Sequence, residues 1–260
     1  MADKLCIALL GMGRLGRSLQ KLIRDAHGLE ALTWRRGEAI PPEADVYWIC
    51  VNDSSVSEVA KRIPVGKIVL HASGALPVEV LRPHQPAGSL HPLQSFPGPE
   101  ISLPPTTGLP AAISGDPEAM DAAETISKAL GFQPFHVPGD RRAYHAAAVI
   151  AGNFGTTLLA EASRLLTQAG VDPAIAPTVL APLAISSVQQ ATKLGPARSL
   201  TGPFARGDAE TIAAHLEFLD EKDPRLGEIY RVLGRASIRL LNQNNGLGTE
   251  EMDALFRLLG

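Results

Sequence analysis

Cysteine is scarce in this chain: Cys6 and Cys50 are its only two, and both stand inside apolar runs. They read as buried strand thiols in a reducing compartment, not as a disulfide framework or a metal site. Aromatics are few as well, at 5%. An excess of one charge is missing too. The 24 Lys+Arg nearly balance the 27 Asp+Glu, for a formal net charge of −3. Neither half is strongly basic, which argues against nucleic acid or a membrane surface as partner. No apolar run approaches the ~20 residues of a transmembrane helix. Asp3 and Lys4 lead into a short apolar run without the basic start or cleavage site of a signal peptide, so a cytoplasmic location is expected. Disorder is excluded by 45% hydrophobic residues at low net charge.

What the chain has in quantity is glycine and proline, 24 and 21 of them, gathered in particular stretches. Between those stretches a strand–helix alternation is visible. Leu5–Leu10 is a continuous apolar run, as in a buried parallel strand, and Arg14–Arg24 sets Leu15, Leu19, Leu22 and Ile23 on one helical face. Strands are expected at Ala31–Trp34, Val46–Val51, Lys67–His71, Ala87–Leu90, Ala111–Ser114 and Pro134–Val137. Helices are expected at Ser55–Ile63, Leu76–Leu81 and Pro117–Leu130. Five prolines between Phe96 and Pro110 predict an irregular crossing loop. From Arg141 onward nearly everything reads as helix, punctuated at 170–173, 195–203, 220–224 and 242–249. The expected fold is a doubly wound, mostly parallel α/β sheet over residues 1–138, followed by an all-helical domain over 139–260.

Gly11-Met12-Gly13-Arg14-Leu15-Gly16 follows the first strand and opens the first helix. The spacing is that of a dinucleotide phosphate loop. One glycine makes the turn, one lets the backbone approach a pyrophosphate, and one allows close helix packing. An acidic residue for the adenosine ribose is expected about 20 residues on. None is there. The second strand ends in Trp34-Arg35-Arg36-Gly37, and two arginines suit a 2′-phosphate, so NADP(H) is favoured over NAD.

Ligands of such sheets lie beyond the carboxyl ends of the strands, where polar residues are informative. Val51, Asn52 and Asp53 either line the cofactor or cap the next helix. Ser73 and Gly74 would border the nicotinamide. His91 is the first choice for a proton donor or acceptor, with Gln94 close behind it in sequence. His71 is as well explained by a structural hydrogen bond. Tyr144, His145 and Asn153 stand on the first long helix, His145 and Asn153 eight residues apart. That helix either lines a cleft or packs against a neighbour. Thr201 and Arg206, in a loop that ends at the potential N-cap Asp208, are suited to an anionic substrate or the cofactor. His215 reads as packing or surface. No metal site is expected.

Gly11–Gly16, His71-x-Ser73-Gly74-Ala-Leu, His91-Pro-Leu-Gln-Ser-Phe96, Tyr144-His145-Ala-Ala and Leu200-Thr-Gly-Pro-x-x-Arg-Gly-Asp208 together resemble one group. It is a family of bacterial Rossmann-like proteins, taken for NADP oxidoreductases, with a helical C-terminal domain of unknown function. More broadly the chain resembles the superfamily with a 6-phosphogluconate-dehydrogenase-like C-terminal domain. That superfamily includes pyrroline-5-carboxylate, ketopantoate, β-hydroxyacid and prephenate enzymes. The resemblance implies a nicotinamide site between the domains and a homodimer built from the C-terminal helices. Ser73 and His91 resemble in order the serine and the His-Pro histidine of prephenate dehydrogenases. Asn153 resembles the asparagine of β-hydroxyacid dehydrogenases, but Val149 stands where their lysine would be. Thr201–Asp208 loosely resembles a substrate loop of pyrroline-5-carboxylate reductases.

The function expected is hydride transfer between NADP(H) and a small polar, anionic C=O or C=N substrate. His91 would be the acid/base, with Ser73, His145 and Asn153 positioning the substrate and Arg206 holding its carboxylate. The alternatives are a non-catalytic NADP(H)-binding sensor and a prephenate-type oxidative decarboxylase.

Overall fold

The computed structural model describes residues 4–98, 105–243 and 246–260. The chain divides into two compact units, Met1–Asn153 and Phe154–Gly260. The core of the expected crossing loop, residues 99–104, lies outside the described residues.

The first unit is built on one seven-stranded sheet. Its strands are β1 (Leu5–Leu10), β2 (Leu29–Trp34), β3 (Val46–Ile49), β4 (Ile68–His71), β5 (Ala87–Pro92), β6 (Leu109–Gly115) and β7 (Phe132–His136). They lie in the order β2-β1-β3-β4-β5-β6-β7. Every neighbouring pair is parallel except β5 and β6. The chain leaves β1 to one side for β2, then crosses to the other side for β3. The carboxyl ends of β1 and β3 therefore flank a topological switch point, where ligands of open α/β sheets bind.

Side chains alternate between the two faces, as the strand period of two requires. Ile7, Leu9, Trp48 and Leu70 face α1 (Arg14–Asp25) and α3 (Pro117–Ala129) in one apolar layer. Ala8, Leu10, Tyr47, Ile49 and Val69 form the other layer with α2 (Val56–Ala60) and a 3-10 turn at Val78–Leu81. That turn replaces the short helix expected at 76–81; Pro77 immediately precedes it. The second layer changes character along β4, β5 and β6. There the sheet turns His71, Ser89 and Ser114 inward at adjacent register positions, with His71 and Ser89 fully buried.

Helix α4 (Arg141–Ala148) supplies a polar partner to that stretch through Arg141, itself only 7% exposed. Arg141 donates to Ser114 Oγ at 3.0 Å and to Ser73 O at 2.7 Å. These contacts tie α4 to the sheet, so the first unit runs to Asn153 whereas the composition pointed to a break near 139. A π-helical turn, Val149–Phe154, follows α4.

The second unit holds α5 (Gly155–Gln168), α6 (Ala176–Leu194), α7 (Pro196–Ser199), α8 (Ala209–Lys222), α9 (Pro224–Asn242) and α10 (Thr249–Leu259). Ile212, Leu216, Ile238, Leu255 and Leu259 form the core of α8, α9 and α10. Asp208 caps α8, accepting from Thr211 N at 3.1 Å, and Asp223 caps α9, accepting from Leu226 N at 3.1 Å. Among the described residues no helix is long and apolar enough to cross a membrane.

Candidate functional site

β1 runs directly into Gly11, which adopts a φ of +117°. Its N–H donates to Trp34 O at 3.2 Å, and a Cβ there would stand 2.8 Å from Cys50 O. A Cβ on Gly16 would lie 1.9 Å from Gly11 O. The chain itself therefore demands glycine at both positions. Gly13 differs: nothing lies within 4 Å of where its Cβ would be. The second glycine leaves open space before the N-terminus of α1, where backbone N–H groups and the helix dipole attract a phosphate.

A cleft of about 420 Å³ begins at this loop. Gly11, Met12, Gly13, Arg35, Arg36, Val51 and Asn52 all line it, as their positions in the sequence suggest. Arg14, Leu15 and Gly16 complete the turn and lie outside the cleft wall; Leu15 packs on the core. Four arginines, Arg17, Arg35, Arg36 and Arg62, surround the cleft with Glu58 as its acid. The Arg62 guanidinium lies 5.0 Å from the Trp34 ring centroid and donates to Glu38 O at 2.9 Å. Trp34 Nε1 donates to the same carbonyl at 2.9 Å. Arg35 N donates to Glu38 Oε2 at 2.8 Å, which pins the loop that presents Arg35 and Arg36. Arg62 and Trp34 were not singled out from the sequence. Arg62 sits just past α2, 26 positions from Arg36, and nothing in its spacing marks it.

A second group of polar side chains gathers beyond β4 and β5. Ser73 Oγ donates to Asp53 Oδ2 at 2.9 Å and accepts from the N–H groups of Ala75 and Leu76. Asp53 is thus engaged with the β4 loop and lies outside the cleft wall. His91 Nδ1 lies 2.7 Å from the Tyr144 hydroxyl. The His91 and His145 rings stand edge to face with centroids 6.5 Å apart. Gly74 makes the cluster possible, since a Cβ there would meet His145 Cδ2 at 2.7 Å and His91 Nε2 at 3.1 Å. Phe135, from β7, packs edge-on against Tyr144.

Arg141 stands beneath this group, its guanidinium 5.7 Å from the Tyr144 ring centroid. No carboxylate pairs with it among the described residues, and its Nε has no hydrogen-bond partner there. Burial, Arg141 and His145 together push the His91 ring down to about 4, so it is neutral at pH 7. Burial, followed by Arg141, takes His71 down to about 3. The Tyr144 phenol is raised by burial while Arg141 pulls the other way. Arg141, like Arg62 and Trp34, was not singled out from the sequence. A buried cation without an acid beside it leaves no local pattern.

Of the remaining candidates, Gln94 lies in the turn after β5, its N–H bonded to Pro92 O. Asn153 falls in the π-helical turn, so its eight-residue spacing from His145 no longer implies one α-helical face. Thr201 and Arg206 belong to the second unit, where Arg206 lies 3.6 Å from the capping Asp208. His215 bonds to the Tyr230 hydroxyl at 2.9 Å, a packing role. No group of three or more His, Cys, Asp or Glu side chains among the described residues could hold a metal ion.

Residues 109–237 match the model of DUF2520, a domain of unknown function. No curated protein matches the chain. A solved Bacteroides fragilis protein, provisionally assigned as an NADP oxidoreductase, is 25% identical with a TM-score of 0.75, over 90% of this chain and 98% of that one. A Thermotoga maritima protein is 22% identical with a TM-score of 0.71, over 92% and 99%. An imine reductase from Myxococcus stipitatus, solved with NADP+, shares the fold at 12% identity and a TM-score of 0.61, over 98% and 100%. The chain therefore has a Rossmann-like fold followed by a helical C-terminal region, and the stretch that matches DUF2520 runs from β6 into α9.

Proposed function

We propose that this protein is an NADP(H)-dependent oxidoreductase acting on a small polar, anionic substrate with a C=O or C=N group. The observation that carries the reading is the cleft at the β1–β3 switch point. It combines a glycine loop with open space at Gly13 and arginines, not an acid, at the tip of β2. Gly11, Met12 and Gly13 would hold the pyrophosphate. Arg35 and Arg36, joined by Arg62, would hold the 2′-phosphate, with Val51 and Asn52 along the cofactor. Solved relatives include NADP-bound reductases, which supports the same cofactor.

When bound, the reduced dinucleotide supplies the hydride. The chain supplies orientation and the proton. His91 is placed for proton transfer, with Ser73, Gly74, Tyr144 and His145 around it. Asn153, Gln94, Thr201 and Arg206 are assigned to substrate binding on their positions in the chain. Exposed apolar side chains on α6 (Val179, Leu183, Ile185, Val188) and α9 (Ile229, Val232, Leu233) support a homodimer through the C-terminal helices, which light scattering would register as twice the chain mass. Two free thiols, both raised by burial, suit a reducing cytoplasm.

Titration with NADPH and NADH, followed by a screen of oxo acids and cyclic imines for NADPH oxidation, tests the reading. NADPH binding stronger than NADH, with turnover lost in His91→Asn, is expected. Binding without turnover of any substrate would make the protein a sensor, and preference for NADH would overturn the cofactor assignment.

A further inference from the structure

Three features around His91 point to one arrangement. Arg141 is a buried cation without a carboxylate partner among the described residues. An isolated buried charge is costly unless something compensates it. Tyr144 turns its hydroxyl to His91 Nδ1 at 2.7 Å while its ring faces that same guanidinium at 5.7 Å. His91 Nε2 has no protein hydrogen bond among the described residues, and the missing side chain of Gly74 makes room for that edge of the ring.

We propose that Tyr144 and His91, with Arg141 as counter-charge, form a proton relay that ends on the Nε2 hydrogen of a neutral His91, and that it serves a carbonyl rather than an iminium substrate. The proposal rests on the oxidoreductase reading above. In the resting state the Tyr144 phenol donates to a bare Nδ1, which fixes the ring hydrogen on Nε2. That hydrogen is offered to the substrate oxygen. As the carbonyl carbon accepts hydride from the reduced nicotinamide, the C=O π bond becomes an O–H bond with the proton from Nε2. Nδ1 takes the phenol proton, the Tyr144 O–H bond breaks, and the imidazole stays neutral throughout. The negative charge ends on the Tyr144 phenolate, whose ring lies 5.7 Å from the Arg141 guanidinium, and Arg141 supplies the counter-charge. Solvent returns the proton to Tyr144 between turnovers.

The groups facing His91 favour this arrangement over an imidazolium acid. Arg141, Tyr144 and His145 approach from α4, and His71 and Ser73 belong to the β4 side. Of these Arg141 is a fixed positive charge, and among the described residues no carboxylate acts on the ring; Asp53 is held by Ser73. A protonated imine brings its own N–H and a second positive charge, so both the Nε2 donor and Arg141 would repel it.

Nitrogen NMR on ¹⁵N-histidine-labelled protein tests the relay without any substrate. His91 is assigned by its loss in His91→Asn. The expected result at pH 7 is a neutral ring with hydrogen on Nε2, and in Tyr144→Phe a mixture of the two tautomers. An imidazolium, an Nδ1–H ring, or an unchanged tautomer in Tyr144→Phe would overturn the relay. Phenolate absorbance gives a second readout. The titration assigned to Tyr144 should move up by about one pH unit or more in Arg141→Met and stay near its place in Arg141→Lys. No movement in Arg141→Met would remove the counter-charge role.

With NADPH, an oxo acid should be turned over in preference to a cyclic imine. Tyr144→Phe should lower that kcat by about 10²–10³-fold with KM changed only a few-fold. Faster reduction of the imine would overturn the carbonyl assignment. Absence of turnover with either would overturn the oxidoreductase reading, while the NMR result decides the relay independently.

Discussion

The Ser73 hydroxyl donates to Asp53 at 2.9 Å, joining the loop beyond β4 to the turn beyond β3. The same oxygen accepts from the N–H groups of Ala75 and Leu76, so one side chain organises both strand ends. Ser73→Ala leaves those donors and the Asp53 acceptor without this partner. Stability should fall by about 1–3 kcal/mol in urea denaturation, an effect that Asp53→Asn, which keeps an acceptor oxygen, should largely escape. Equal losses in the two variants would show that the serine acts only through the aspartate.

Gly16 and Gly13 make a matched pair for separating folding from binding. With a Cβ placed 1.9 Å from Gly11 O, Gly16→Ala should fold poorly or not at all. Gly13→Ala meets nothing within 4 Å, so its melting temperature should stay within a few degrees of wild type. NADPH affinity of Gly13→Ala should nonetheless fall at least about tenfold, because the methyl occupies the phosphate's approach. Unchanged affinity measured by calorimetry would move the pyrophosphate elsewhere.

The arginines at the cleft should set cofactor choice. Arg35→Ala, Arg36→Ala and Arg62→Ala should each weaken NADPH by roughly 5–100-fold, as expected for losing a charge-assisted hydrogen bond of ~1–3 kcal/mol. NADH binding should change little. Arg62→Ala should also alter Trp34 fluorescence, since the guanidinium lies 5.0 Å from the indole centroid. Parallel losses for both cofactors would mean that these side chains read only the shared pyrophosphate.

Acid should destabilise the first unit through its histidines. His71 and His91 titrate near 3 and 4 in the folded chain against an ordinary 6.5, because burial penalises the charged ring. Folding thus binds fewer protons than unfolding. The stability linked to the two rings is complete above about pH 6.5, falls below it at up to about 1.4 kcal/mol per pH unit for each ring, and is fully lost once the pH is below about 4 for His91 and about 3 for His71. His71→Leu should flatten that limb in urea denaturation between pH 6.5 and 4. A limb as steep as in wild type would assign it to other groups.

Much of the first unit was legible from residue type and order. The apolar run Leu5–Leu10, the three glycines and the absence of an acid after Trp34 are local features, and local chemistry dictates their structure. The strand ends carrying Ser73 and His91 were equally visible. What stayed hidden depends on contacts between distant segments. Arg62 reaches the cleft only because α2 returns along β3, and Arg141 matters only once the sheet turns His71, Ser89 and Ser114 toward it. The antiparallel β6 was also beyond reach, since neither its composition nor its length records direction. The π-helical turn at Val149–Phe154 defeated the assumption of 3.6 residues per turn that linked His145 to Asn153.

The polar stretch of sheet beneath α4 limits how such chains can exchange parts. Cutting after residue 138 would strip Ser114 and the Ser73 carbonyl of the Arg141 guanidinium. A cut after Asn153 keeps α4 and its guanidinium in place. A helical C-terminal region exchanged behind α4 therefore leaves this guanidinium with the sheet, whereas a graft made at the end of β7 would carry it away.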